Sequence, residues 1–228
     1  MKEISLKKRL QCATHFVRDA SCVADIGTDH AYLPIYLVSN GKSTFAIASD
    51  INEGPIKIAK KNISAYGLDD KIVTQVANGL DGIEKYSPTD IVICGMGGEL
   101  IAEIIDKSDY VKNSDIRLVL QPMTSVKEVR EYLNNGFLII DEDIVCEDGK
   151  IYQIICASYD NKVHNYTDIE LELGRENIKK GGEAFNNLLN STIAKNKKRS
   201  NGMKKGGYST SEIDDFISRL EELKNEIY

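Results

Sequence analysis

Up to about residue 135, short apolar runs alternate with segments whose apolar residues recur every three to four positions. This alternation is the strongest constraint on the fold. Strand, helix and strand joined by short links build a parallel sheet with helices on its faces. Helices are expected over 5–18, with Leu6, Leu10, Ala13 and Val17 on one face, and over 31–38, with Pro34 in the first turn. Others are expected over 55–66, begun by proline and closed by Gly67, over 99–105 and over 126–133. Strands are expected over 22–26, 44–49, 71–77, 91–94 and 118–121. Residues 137–146 and 151–159 then form two strands around Asp148-Gly149, a hairpin signal. The fold class is α/β: a Rossmann-like, mostly parallel sheet with an antiparallel last hairpin.

Beyond Asp160 strand signals vanish. Residues 168–198 form a helix with Leu171, Ile178, Phe185, Leu188, Leu189 and Ile193 on one face, and Gly181-Gly182 as an internal weak point. Residues 211–227 form another, with Ile213, Phe216, Ile217, Leu220, Leu223 and Ile227 on one face; 200–210 link them. Each stripe is too thin to be stable alone, so an antiparallel hairpin is expected. Two domains follow, 1–160 and 161–228. Charge divides the same way. Residues 1–160 carry 17 Lys/Arg against 24 Asp/Glu, and 161–228 carry 12 against 11, in a chain of net charge −6. The positive charge gathers at Lys195, Lys197, Lys198, Arg199, Lys204 and Lys205, a local footprint for a polyanion. The alternative is an ordinary solvated helix end. The five cysteines (Cys12, Cys22, Cys94, Cys146, Cys156) are unclustered, which argues against a metal site or disulfide framework and for a reducing cytoplasm. No apolar run approaches the ~20 residues of a membrane span, and the polar start does not read as a signal peptide. A monomer is the default expectation.

The chemistry lies where strands end. The first runs into Asp25-Ile26-Gly27-Thr28-Asp29-His30-Ala31. Glycine at this turn lets a ligand approach the backbone. Asp29 and Ala31 stand where a dinucleotide fingerprint has its second and third glycines, and Asp29 would repel a pyrophosphate. Asp25 adds a second carboxylate. This electrostatics suits a ligand bearing ammonium and sulfonium cations, so S-adenosylmethionine is favoured over NAD. The bland alternative is that Asp29 caps the next helix. Asp50, 23 residues past Gly27, is placed to receive ribose hydroxyls. Asn78-Gly79 lies where an adenine would sit, or is a simple turn. In Gly95-Met96-Gly97-Gly98, the glycines indicate close approach by the methionine part of the cofactor, with Met96 as a soft wall; tight strand–helix contact is the alternative. Gln121-Pro122-Met123 ends the fifth strand with a polar head at the same edge.

The string from Asp25 to Pro34, with Gly95-Met96-Gly97-Gly98 and Gln121-Pro122, closely resembles the bacterial TrmK family of tRNA (adenine-22-N1)-methyltransferases. The resemblance spans nearly the whole chain. It implies a class I methyltransferase domain followed by a coiled-coil-like domain that helps hold tRNA. It also implies methyl transfer from S-adenosylmethionine to N1 of an unpaired adenine. Asp29 would then stabilise the cationic methylated ring or accept an N6 proton, and His30 and Tyr32 would hydrogen-bond or stack on the base. Asp25 would support the cofactor side. Arg9 would meet the cofactor carboxylate or a phosphate, unless Lys7-Lys8-Arg9 is a solvated face. The family's third motif often reads Gln-Pro-Asn, and Met123 replaces that Asn. A small-molecule methyltransferase with the hairpin as lid, and a non-catalytic RNA-binding module, are the rival readings.

Overall fold

The computed structural model describes residues 4–227 and divides into two compact units, Met1–Asn165 and Tyr166–Tyr228. In the first unit α1 (Lys8–Phe16), β1 (Ser21–Ile26), α2 (Tyr32–Ser39), β2 (Ser43–Asp50), α3 (Glu53–Ala65) and β3 (Ile72–Val76) form one half. The other comprises β4 (Asp90–Gly97), α4 (Gly98–Asp106), β5 (Arg117–Thr124), α5 (Val126–Leu133), β6 (Asn135–Glu147) and β7 (Lys150–Val163). The seven strands lie in the order β3-β2-β1-β4-β5-β7-β6. The first five are parallel, and β7 runs antiparallel to β5 and β6. Strand order reverses between β1 and β4, which opens a crevice at their carboxyl ends. Because β7 pairs with β5 in opposite sense, the β6–β7 turn lies at this same edge.

The sheet is covered on both faces, and the parallel strands are accordingly near-continuous apolar runs. Ala13 of α1 and Val17, which follows that helix, pack with Val23, Leu37, Val92, Val119 and Ile154 in one cluster. Ala31 and Ile35 pack with Ala46, Ala48, Ala59 and Ile63 in a second cluster on the same face, since Ala46 is the register partner of Val23. A buried ion pair ties α5 to the last hairpin: Arg130 Nε donates to Glu142 at 2.7 Å, and its Nη2 donates to Gln153 Oε1 at 2.7 Å. Both charged partners are fully buried.

The second unit holds α6 (Asp168–Leu173), α7 (Arg175–Lys180), α8 (Gly182–Lys205) and α9 (Ser211–Ile227). A capping box between Thr167 and Glu170 starts α6. Ser200 and Lys204 reach Asp214, and Lys197 reaches Glu221, so α8 and α9 run antiparallel. Phe185, Leu188, Leu189, Ile193, Ile217 and Leu220 are buried. The side chain of Ile227 lies outside the described residues.

Several boundaries differ from expectation, beginning with α1, which spans Lys8–Phe16 rather than 5–18. Strand β7 continues to Val163, which pairs with Asn135, so the division falls at Asn165 rather than 160. Polar residues after Tyr159 hid that extension, because backbone pairing does not require apolar side chains. The single helix expected over 168–198 is three, broken at Gly174 (φ 89°) and at Gly181-Gly182 (φ 61° and 85°). Finally, α8 runs on to Lys205 through residues read as a link. Among the described residues, no helix is long and apolar enough to cross a membrane, and no group of three or more His, Cys, Asp or Glu could hold a metal ion.

Candidate active site

The turn after β1 is built from unusual backbone. The N–H groups of Gly27 and Thr28 both donate to the Ser49 carbonyl, at 2.8 and 2.9 Å. Those amides are therefore bound to β2 and cannot cradle a pyrophosphate. His30 and Ala31 then adopt left-handed conformations, with φ 59° and 61°. For non-glycine residues this costs roughly 1–2 kcal/mol each. Two contacts compensate. The Ala31 methyl is fully buried against α3, and Asn62 Nδ2 of that helix donates to the His30 carbonyl at 2.9 Å.

The consequence is a presentation of three side chains on one rim. The Asp29 carboxylate is 79% exposed and lies 3.7 Å from His30 Nδ1. The His30 and Tyr32 rings meet edge to face with centroids 5.7 Å apart. Helix α2 is capped at Ala31 with no side-chain bond, so Asp29 is not a helix cap. Asp25 is buried one residue before β1 ends. Burial lifts its carboxyl from 3.8 to about 7; the nearby Thr28 hydroxyl opposes the lift, and Asp29 and Asp50 add to it. That hydroxyl falls short of full hydrogen-bond geometry and has no partner among the described residues.

At the end of β2, Asp50 Oδ1 accepts the Asn52 N–H at 2.7 Å, which orients the carboxylate and leaves its second oxygen available. Ile51 and Val76, at the ends of β2 and β3, are 61% and 52% exposed. Asn78 is exposed, and its carbonyl closes a turn by accepting the Asp81 N–H. Gly79 is left-handed, and a Cβ there would come within 3.2 Å of Ile104, so turn and contact account for it.

The glycines of β4 have separate causes. Gly95 is a left-handed bulge facing open space. Gly97 caps α4. Gly98 is required by close backbone approach, since a Cβ would strike the Ser125 carbonyl oxygen at 2.0 Å. Met96 is positioned against the first turn: a Cβ on Gly27 would lie 2.0 Å from its Cε. Beyond the bulge β4 and β5 stay paired past their expected ends, to Gly97 and Thr124.

Arg9 is neither solvated nor free. Its Nη1 donates to Glu147 Oε1 at 2.7 Å, its backbone N–H reaches Oε2 at 3.1 Å, and the guanidinium lies over the Tyr152 ring. Burial opposes ionisation of Glu147, yet the Arg9 bonds hold its carboxyl below the usual range. Neither Glu147 nor Tyr152 was singled out in sequence, because the pair joins residues 138 apart. Asn62 likewise gave no signal. Cys94, next to Gln121 in register, has Asp25 and Arg9 in its surroundings; burial pushes its thiol far up.

Four buried side-chain polar atoms lack a hydrogen-bond partner among the described residues: Arg9 Nε, Thr28 Oγ1, Gln121 Oε1 and Asn186 Oδ1. The first three belong to this edge of the sheet. Buried polar atoms are rarely orphaned in folded proteins, and a cluster of orphans marks a place for a polar ligand.

Comparison with known proteins agrees with this geometry. The methyltransferase domain family matches residues 6–155. The tRNA (adenine(22)-N(1))-methyltransferase of Bacillus subtilis is 39% identical over 175 residues, covering 76% of this chain and 74% of that protein. The crystal structure of the B. subtilis M1A22 tRNA methyltransferase TrmK superposes with TM-score 0.83 at 30% identity, covering 99% of both chains. A putative tRNA (m1A22) methyltransferase from Streptococcus pneumoniae, solved in complex with S-adenosyl-L-methionine, superposes with TM-score 0.80 at 31% identity, covering 98% of this chain and 100% of that one. Sheet order, strand-end chemistry and these likenesses converge: the chain belongs to the TrmK family of tRNA (adenine(22)-N(1))-methyltransferases.

Proposed function

We propose that this protein transfers the methyl group of S-adenosylmethionine to N1 of an adenine in tRNA, at the carboxyl ends of β1, β2 and β4. The observation that carries the reading is the composition of the mouth. Asp25, Asp29 and Asp50 converge there, while the turn amides that would bind a phosphate are committed to Ser49. Such a mouth rejects a dinucleotide and accepts a cation. The orphaned Thr28, Gln121 and Arg9 atoms fit a cofactor with hydroxyl, ammonium and carboxylate groups.

When bound, S-adenosylmethionine supplies an electrophilic methyl group on a sulfonium. The free oxygen of Asp50 accepts the ribose hydroxyls, and Ile51 and Val76 offer apolar surface to the adenine, with Asn78 beside it. Asp25 balances the positive charge, and Met96 walls the space over Gly27 between Gly95 and Gly97. Arg9, steadied by Glu147, would offer its remaining N–H groups to the carboxylate of the cofactor. Asp29 stabilises the cationic ring that forms as N1 is alkylated and can take an N6 proton. His30 and Tyr32 hold the target base after it leaves its stack. Alignment of nucleophile and leaving group is most of what the site contributes.

Charge on the second unit supports a tRNA substrate. Lys197 and Lys204 are engaged by Glu221 and Asp214, so the footprint reduces to Lys195, Lys198, Arg199 and Lys205, all exposed. These would hold phosphates without reading sequence. Incubation with unmodified tRNA and labelled S-adenosylmethionine, followed by nucleoside mass analysis, tests the whole reading. The expected product is 1-methyladenosine; label in another nucleoside, or none, sinks it.

A further inference from the structure

The turn between α8 and α9 carries Tyr208, at 72% the most exposed large apolar side chain among those described. Its position is set by the helix ending. Gly207, left-handed at φ 75°, donates its N–H to the Lys204 carbonyl at 3.1 Å, and the Tyr208 N–H donates to Met203 at 3.0 Å. These are the two bonds of a Schellman ending, which fixes the backbone of the residue that follows the glycine. A Cβ on Gly206 would lie 2.9 Å from two ring carbons of Tyr208, so the ring rests against glycine backbone. The apolar contact that often accompanies such an ending would bury this side chain. Here the ring lies beside Gly206 and is still open to solvent.

The surface leading to it is cationic. Residues 184–211 contain six lysines and arginines and no acid. Lys195, Lys198, Arg199 and Lys205 fall within about 120° of helix arc at 100° per residue. None of the four has a carboxylate partner among the described residues, whereas Lys197 and Lys204, off that stripe, do. A preset aromatic ring at the end of a one-sided row of cations is the arrangement that binds unpaired nucleotides: cations follow the phosphates and the ring receives a base face.

We infer that Tyr208 stacks on an unpaired base of the bound tRNA, in a loop or at an end, while the cations of α8 hold the adjoining phosphates. A base within a duplex stem offers only its edge, so the partner element is unpaired. This rests on the tRNA reading and extends it to a particular contact.

Titration of unmodified tRNA against wild type, Tyr208→Ala, Tyr208→Phe and a Lys195→Ala, Lys198→Ala, Arg199→Ala triple variant over a salt series tests it. Tyr208→Ala should weaken binding about tenfold or more and raise KM for tRNA, with kcat and KM for S-adenosylmethionine unchanged. Its salt slope should equal that of wild type, and Tyr208→Phe should bind within about twofold of wild type. The triple variant should show a shallower slope, because fewer phosphates are neutralised. A Tyr208→Ala protein that binds like wild type, or a Tyr208→Phe protein as weak as it, overturns the stacking contact. The tRNA reading then still stands if 1-methyladenosine forms. A wild type that neither binds nor methylates tRNA overturns both.

Discussion

The strand-end mouth of the first unit and the turn end of the second are opposite in charge and in construction. The mouth gathers Asp25 of β1, Asp50 of β2 and Asp29 of a strained turn that Asn62 and Ser49 pin. The α8–α9 end presents open cations and one open aromatic on an ordinary helix ending. Negative charge held on rigid backbone suits a small cation that must be aligned to within a fraction of an ångström. Positive charge on long, mobile side chains suits a large polyanion that needs holding more than aligning.

The largest expected effect would break the mouth. Asp29→Ala should lower kcat by about 10²–10⁴-fold if the carboxylate serves the reacting ring, while S-adenosylmethionine binding measured by calorimetry persists. Turnover within tenfold of wild type would assign Asp29 to the rim alone. Next, the Lys195, Lys198 and Arg199 triple variant should bind tRNA with a salt slope reduced by roughly 0.7–0.9 for each phosphate no longer neutralised. Cofactor affinity should not move, and any change there would mean that the two regions are not separable in function.

The pH dependence sharpens the acidic side. Asp25 sits at about 7 in the folded chain against 3.8 ordinarily, so between these values the folded state binds more protons than the unfolded one. Stability of the cofactor-free protein should therefore fall as pH rises from about 4 through about 7. If Asp25 balances the charge of the cofactor, its ionised form is the one that binds, so cofactor affinity should rise up to tenfold per pH unit below 7 and level off above it. Calorimetry across pH 5.5–8.5 reads this, and Asp25→Asn should flatten both profiles. An unchanged affinity profile in that variant would remove Asp25 from the charge balance.

The smallest effect concerns the strained turn. Asn62→Ala removes the bond to the His30 carbonyl and should cost about 1 kcal/mol of stability. It should also lower kcat severalfold with little change in KM for S-adenosylmethionine. If thermal unfolding of this variant matches wild type, Asn62 does not hold the turn.

Much of this was legible in the chain. The sheet, its closing hairpin, the two-part division and the carboxylates at the strand ends all rest on local periodicity and turn chemistry, which are written in neighbouring residues. The causes of individual residues were less legible. Gly95, Gly97 and Gly98 look alike in sequence, yet one is a bulge, one a cap and one is required by the Ser125 carbonyl. Arg9 read as either ligand or surface and proved to be held by Glu147. Two members of the six-residue basic cluster turned out to be engaged by Asp214 and Glu221.

Sequence alone determined the α/β class, the family resemblance and the acidic character of the mouth, since these depend on residue type and spacing over short windows. Tertiary structure alone decided that Met96 covers Gly27, that Asn62 pins the strained turn, and which cations of α8 stay open. Each of those depends on what folding brings from elsewhere in the chain against a given side chain, and contacts over 10 to 138 residues leave no periodic trace in the order of amino acids.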